Sequence, residues 1–216
     1  MSVTTDARDN LDTPDTTTPC YFLAYLLRLR WIKRWGLMRN AYEENVMEHS
    51  WEVAVIAHLL ALIRNRYFGG STDAGAVAAA ALYHDVTEVL TGDLPTPIKY
   101  HSQAIRLAYR HIEDTAGQAL VELLPCVLQE DLQRLFTIEG LPHEQRLLIK
   151  AADKIAALLK CRAELAAGNR EFEAAAKQLE EKIQQFALPE VEYFMRVFVP
   201  GCGLSLDHLV KAETEA

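Results

Sequence analysis

From Tyr21 onward, apolar residues recur every three or four positions, the period of helices that bury one face. YFLAYLLRL begins a short amphipathic helix, and WIKRWGLMRN after it reads as loop, with Gly36 as a breaker. A long helix is expected from about Asn45 to Asn65, with Val46, Trp51, Val53, Ala54, Ile56, Ala57, Leu60 and Ile63 as its apolar stripe. FGGST is a loop, and Asp73 can cap the alanine-rich helix that follows. TGDLPTP, with one glycine and two prolines, ends that helix in an ordered loop. Further helices are expected near 101–124, 128–136, 143–167, 170–186, 189–198 and 205–213, jointed at Pro142, Gly168 and Pro189. Strand-type alternation is nearly absent, FVPG at 198–201 being a short candidate. The pattern predicts an all-α fold, one domain over 19–216, after a disordered Asp- and Thr-rich tail over 1–18.

Composition works by exclusion. A chain of 216 residues can bury one sizeable core. Its net charge of −8 speaks against a nucleic-acid polymer as partner, because such binders usually carry a basic face. A small anionic substrate remains open, since a metal ion or a local Arg/Lys cluster reverses the field at one point. Cys20, Cys126, Cys161 and Cys202 form no CxxC pair, the pattern of reduced thiols. The first residues have neither an apolar signal region nor the Arg-rich character of a transit peptide. With no apolar run taken as long enough to span a bilayer, a cytoplasmic protein without a membrane partner is expected.

Candidate chemistry centres on ALYHDVTEVLTG, where an apolar helix meets His84 and Asp85 side by side, then Glu88, then Asp93. Imidazole plus carboxylate suits Zn²⁺, Mn²⁺, Co²⁺ or Fe²⁺. Two ligands do not make a site. His49, in ENVMEHSWEVA, and Asp153, in LLIKAADKIAALLK, are the candidates to complete it. An Asp within so apolar a helix is costly unless it is paired or ligates a cation. Lys150 or Lys154 offers the alternative of a simple ion pair. Glu88 lies four residues beyond His84 and three beyond Asp85, which on a helix puts it on the same face.

The order His … His-Asp … Asp resembles the metal signature of the HD-domain phosphohydrolases, an all-helical superfamily. More specifically, RWGLMRN, ENVMEHS, YHDVTEVLTGDLPTPIKY, KAADKIAALLKCRAELAAGN and YFMRVFVP resemble its bacterial 5′-deoxynucleotidases, from Tyr21 to the C-terminus. The resemblance implies that His49, His84, Asp85 and Asp153 hold one divalent transition metal such as Co²⁺ or Mn²⁺, and that His49, Asp85 and Asp153 also border the substrate. It implies that Glu88 handles the proton and that Arg34 and Trp35 orient the phosphate and pack on the sugar. Asp93, Leu94, Pro95 and Thr96 would hold the deoxyribose and the nucleotide. The implied reaction is hydrolysis of deoxyribonucleoside 5′-monophosphates, with ribonucleotides excluded sterically near Trp35 and the GDLPT loop. A homodimer is implied as well, with Tyr193, Phe194 and Phe198 as candidate contacts or core residues.

Lys99 and Arg39 could add positive potential, whereas His101 and His111 lack a binuclear pattern, which favours one metal. Two other readings stay open. The same site could serve a ribonucleotide, a cyclic nucleotide or a deoxynucleoside triphosphate. Alternatively, the chain could be a non-catalytic nucleotide-binding protein, although all four ligands and Glu88 are present.

Overall fold

The structure, a computed structural model, describes residues 18–136 and 140–214, with side chains given as far as 210. The tail expected over 1–18 lies, except for Thr18, outside the described residues. Helices α1 (Phe22–Leu26), α2 (Val46–Tyr67), α3 (Ala74–Leu82), α4 (Glu88–Thr91), α5 (Thr96–Lys99), α6 (Gln103–Glu122), α7 (Cys126–Phe136), α8 (His143–Ala166), α9 (Glu173–Gln184), α10 (Pro189–Val197) and α11 (Leu206–Thr214) follow in order. Among the described residues the sole β pairing is a single bridge, Lys33 with Asn45. The all-α expectation therefore holds. FVPG instead lies in a tight 3₁₀ segment, Val199–Gly203.

Helix α2 is the centre of the core. Asn45 caps its start by accepting from the Glu48 amide at 3.0 Å. Val53, Ala57, Leu60 and Ala61 are fully buried, facing Val77, Ala80 and Ala81 of α3 and Leu148, Ala152 and Ile155 of α8. Alanine at the crossing positions lets these three backbones approach closely. Trp51, expected in the stripe, is 64% exposed, because it follows buried Ser50 onto the outer face. By length and composition α2 alone among the described helices could cross a membrane, contrary to the sequence expectation. Its stripe is packed on α3 and α8, which marks it as a core helix. Asp73 caps α3 as expected, 2.9 Å from the Ala76 amide. Phe194 belongs to the core, stacked 4.9 Å from Phe198, while Tyr193 stacks on Tyr67.

A second apolar cluster positions the chemistry. Phe22, Val86, Leu120 and Leu124 bury together. Val86 sits in the turn between α3 and α4, so burying it fixes the turn that carries His84 and Asp85. Those two residues are therefore not helical; α3 ends at Leu82 and α4 begins at Glu88. Gly92 then leaves α4 at φ +72°, a conformation that a side chain would strain, and its amide bonds to the Glu88 carbonyl at 2.8 Å.

The loop from Lys33 to Asn45 closes like a hairpin, with Arg34 N–H on the Glu44 carbonyl at 3.0 Å and Val46 N–H on that of Ile32 at 3.0 Å. Its tip is clamped to α8 by fully buried Glu164. That carboxylate accepts from the Ala41 amide at 2.8 Å, the Tyr42 amide at 2.9 Å, Asn169 Nδ2 at 2.7 Å and the Lys160 ammonium. Burial opposes its charge, but Lys160 and the amides outweigh burial and hold its pKa down to about 2. A depressed carboxylate stabilises the fold above its unfolded pKa, and that stability fades as pH falls toward 2. Glu164→Gln is thus expected to cost about 3 kcal/mol at pH 7, or roughly 6–12 °C in melting temperature for a chain of this size. The gap should narrow in melts run from pH 4 down to pH 2; a pH-independent gap would contradict the charged clamp.

Candidate active site

Four residues from three distant segments of the chain converge. His49 comes from the first turns of α2, His84 and Asp85 from the α3–α4 turn, and Asp153 from the middle of α8. His49 Nε2 lies 3.1 Å from Asp153 Oδ1 and 3.8 Å from Asp85 Oδ2, and His84 Nε2 lies 3.0 Å from Asp85 Oδ2. The coordinating atoms of His49, His84 and Asp85 all lie within 4.8 Å of one another, and Asp153 joins them through His49. Donors about 2.1 Å from one ion stand about 3–4 Å from each other, as do the His49–Asp153, His49–Asp85 and His84–Asp85 pairs.

Tautomer and burial agree with ligation. His84 Nδ1 donates to the Ala81 carbonyl at 2.8 Å, which turns the Nε2 lone pair toward the cluster. His84 Nε2 is buried without a hydrogen bond of acceptable geometry, an orphan that a cation would satisfy. Burial opposes the charge on Asp85, yet His84, His49 and Arg34 hold its carboxyl well below the usual range. Asp153 is held down in the same way by His49 and Lys154. The set fits a divalent transition metal. Lys154 does pair with Asp153 Oδ2 at 2.6 Å, so the ion-pair reading of Asp153 is also realised, on the oxygen that faces away from His49.

Around this core the remaining groups divide by charge. Arg34 Nη1 is 3.5 Å from Asp85 Oδ2 and its Nε donates to Glu44 at 3.0 Å. Burial works against the guanidinium, but Asp85, Glu44, Asp153 and Asp93 together raise its pKa. Glu88 is buried, with Oε2 unpartnered. Burial first, then Asp85 and Asp93, pushes its carboxyl up to about 10. Burial also raises Asp93, against Arg34 and a hydrogen bond from the Trp35 backbone amide. A cavity of about 910 Å³ leads outward from His84, Asp85 and Asp153, past Lys99, Arg110 and Lys154. Lys99, Arg106, Arg110, Lys150 and Lys154 share this lining with Asp85, Glu113, Asp114 and Asp153, so an entering anion would meet cations in an otherwise acidic chain.

A family model described as YfbR-like 5′-deoxynucleotidase matches residues 21–202. The chain belongs to that family. A 5′-deoxynucleotidase of Photorhabdus laumondii is 49% identical over 189 residues, 88% of this chain and 96% of the relative. One from Yersinia pestis is 50% identical over 189 residues, again 88% and 96%. A solved HD-domain phosphohydrolase from Listeria innocua superposes with a TM-score of 0.73 at 22% identity, covering 90% of this chain and 98% of that one. A cyanophage S-2L HD phosphohydrolase, bound to dA and one catalytic Zn²⁺ ion, gives 0.60 at 19% identity over 82% of this chain and 96% of its own. At such identities the two structures speak for the fold alone.

In this YfbR-like 5′-deoxynucleotidase, Arg34, His49, His84, Asp85, Glu88, Asp93 and Asp153 share one electrostatic environment. The Trp35 indole is turned onto Phe172, with ring centroids 5.3 Å apart, and donates Nε1–H to Glu44 at 2.8 Å. Trp35, not Gly36, is the left-handed residue of its loop, at φ +59°. Leu94 and Pro95 are half-buried beside Asp93, and Thr96 opens α5 exposed. Lys99 lines the cavity paired to Glu113, whereas the Arg39 main chain bonds to Glu171 and Asn169. His101 and His111 are exposed and outside the cluster. Sequence reasoning missed Glu44, since a second acid in YEEN beside a cap reads as solvated until the hairpin closes on it.

Proposed function

We propose that this chain hydrolyses deoxyribonucleoside 5′-monophosphates to deoxyribonucleosides and phosphate at the His49–His84–Asp85–Asp153 cluster. The observation that carries this reading is the convergence of two imidazoles and two carboxylates with a buried guanidinium and the buried Glu88 carboxyl beside them. His49, His84, Asp85 and Asp153 would hold one divalent ion, Co²⁺, Mn²⁺ or a similar metal. When bound, that ion supplies Lewis acidity, acidifying water and neutralising charge at the phosphate. The Zn²⁺ and dA of the cyanophage structure agree with this class of chemistry.

The chain's own groups supply the rest. Arg34, tied through Nε, keeps its Nη fork for two phosphate oxygens. Glu88, its buried carboxyl raised to about 10 without the ion, would give a proton to the departing 5′-oxygen. Trp35, whose backbone favours the charge on Asp93, would form one wall with Asp93, Leu94, Pro95 and Thr96. That wall would border the sugar, and a wall close to the 2′ carbon rejects a hydroxyl by size alone.

A phosphate-release panel of dAMP, AMP, cyclic AMP and dGTP with Mn²⁺ or Co²⁺ tests the assignment. Turnover should be greatest on dAMP. A preference for AMP, cyclic AMP or dGTP would move the enzyme to another substrate. We also propose that residues 19–216 act as one catalytic unit in a cytoplasmic homodimer; exposed Tyr67, Phe68, Val197 and Phe198 support a self-contact.

A further inference from the structure

Glu44 sits just before the cap of α2 and is only 8% exposed, although nothing in the mechanism above uses it. One of its oxygens, Oε2, accepts from both Arg34 Nε at 3.0 Å and Trp35 Nε1 at 2.8 Å. Its carbonyl also accepts the Arg34 amide at 3.0 Å, so Arg34 is fixed through main chain and side chain by the same residue. We propose that Glu44 is the positioning residue that couples phosphate binding to recognition of the deoxyribose.

Two features of the site need such a residue. A guanidinium beside Asp85 has a ready alternative, a two-point pair with that carboxylate. Arg34 Nη1 already lies 3.5 Å from Asp85 Oδ2. Holding Nε at Glu44 limits Arg34 to that long approach and leaves the Nη edge for a phosphate. Trp35 has the second need. At φ +59° its backbone is strained for a bulky residue, and such strain persists only where surrounding contacts impose it. The indole bond to Glu44 and the packing on Phe172 are those contacts. The Trp35 backbone in turn favours the charge on Asp93. Glu44 thereby sets the phosphate fork directly and the sugar wall through Trp35.

This inference rests on the reading of Arg34 at the phosphate and Trp35 at the sugar. Glu44→Gln keeps the size of the side chain and an oxygen able to accept both bonds, but loses the charge that strengthens them. The expected result is a KM for dAMP raised by about tenfold or more, the scale of a lost charge-assisted hydrogen bond, with a smaller loss in kcat. The dAMP-to-AMP ratio of kcat/KM should fall several-fold. In a Glu88→Gln background, direct binding should show the same change in the ratio of dAMP and AMP dissociation constants. A purely structural Glu44 would lower active protein equally for both nucleotides, leaving the ratio untouched, and that result overturns the proposal.

Should Glu44→Gln fold poorly, Trp35→Phe removes the indole donor together with part of the ring that packs on Phe172. It should lower the same ratio, and an unchanged ratio again overturns the coupling. In the double variant the two losses should be less than additive. Arg34→Ala separates the levels. If Arg34→Ala and Trp35→Phe both leave kinetics unchanged, the reading of the site fails and takes this inference with it. If they act while Glu44→Gln is silent, only the role of Glu44 fails.

Discussion

Glu88→Gln is expected to lower kcat on dAMP by about 10²–10⁴-fold, the usual cost of losing a general acid or base. Binding of dAMP should survive, because Gln fills the same volume without a new charge. The carboxyl is buried, and Asp85 and Asp93 raise its pKa to about 10. In the metal-free protein it therefore holds a proton through neutral pH. The same residue should leave a mark on stability. A group with a folded pKa above its unfolded value contributes stability fully below the unfolded value, about 4.3 for Glu. That contribution is lost as pH rises toward the folded value. Metal-free wild type should therefore lose ground to metal-free Glu88→Gln between about pH 4 and pH 10. Melts at pH 5 and pH 8.5 read the effect directly. A melting-temperature gap that fails to grow with pH would show that Glu88 is not held neutral, even if turnover were lost.

Asp153→Asn carries the other large effect. It replaces one of two anions in the ligand set with a weak neutral ligand, and it removes the charge 3.1 Å from His49 Nε2. Activity at limiting Mn²⁺ or Co²⁺ should fall by about 10³-fold or more, since the ion's Lewis acidity is central to the rate. A readout independent of turnover follows from mass action. An ion at 100 times its dissociation constant stabilises the folded chain by about 2.7 kcal/mol. For a chain of this size that is roughly 5–10 °C. Wild type should show this shift on metal addition and Asp153→Asn should lose most of it. If the variant keeps both the shift and the activity, Asp153 is only the ion-pair partner of Lys154.

Much of this site was legible before any coordinates, for local reasons. Asp73 and Asn45 announce helix starts because a side-chain oxygen must satisfy free amides there. The stripes of α2 and α8 follow from period alone. Identifying the ligand set required more than period; the resemblance supplied the pairing of His49 and Asp153 with His84–Asp85. What stayed hidden depends on long-range closure. Trp51 shares the spacing of a core residue, yet the α3 and α8 neighbours arrive one position around the helix. Gly36 seemed the natural breaker, but the left-handed residue is Trp35, held by its bond to Glu44 and its packing on Phe172. Glu164, 122 residues from Tyr42, becomes a clamp only when α8 meets the hairpin tip.

A metal titration addresses the single-ion site most directly. Metal-stripped protein is titrated with Mn²⁺ or Co²⁺ while phosphate release from dAMP and AMP is followed. The predicted result is no release before the first addition, a linear rise that breaks at one ion per chain, and AMP slower than dAMP by about tenfold or more. Release without metal, a break at two ions per chain, or equal rates on the two nucleotides would contradict it.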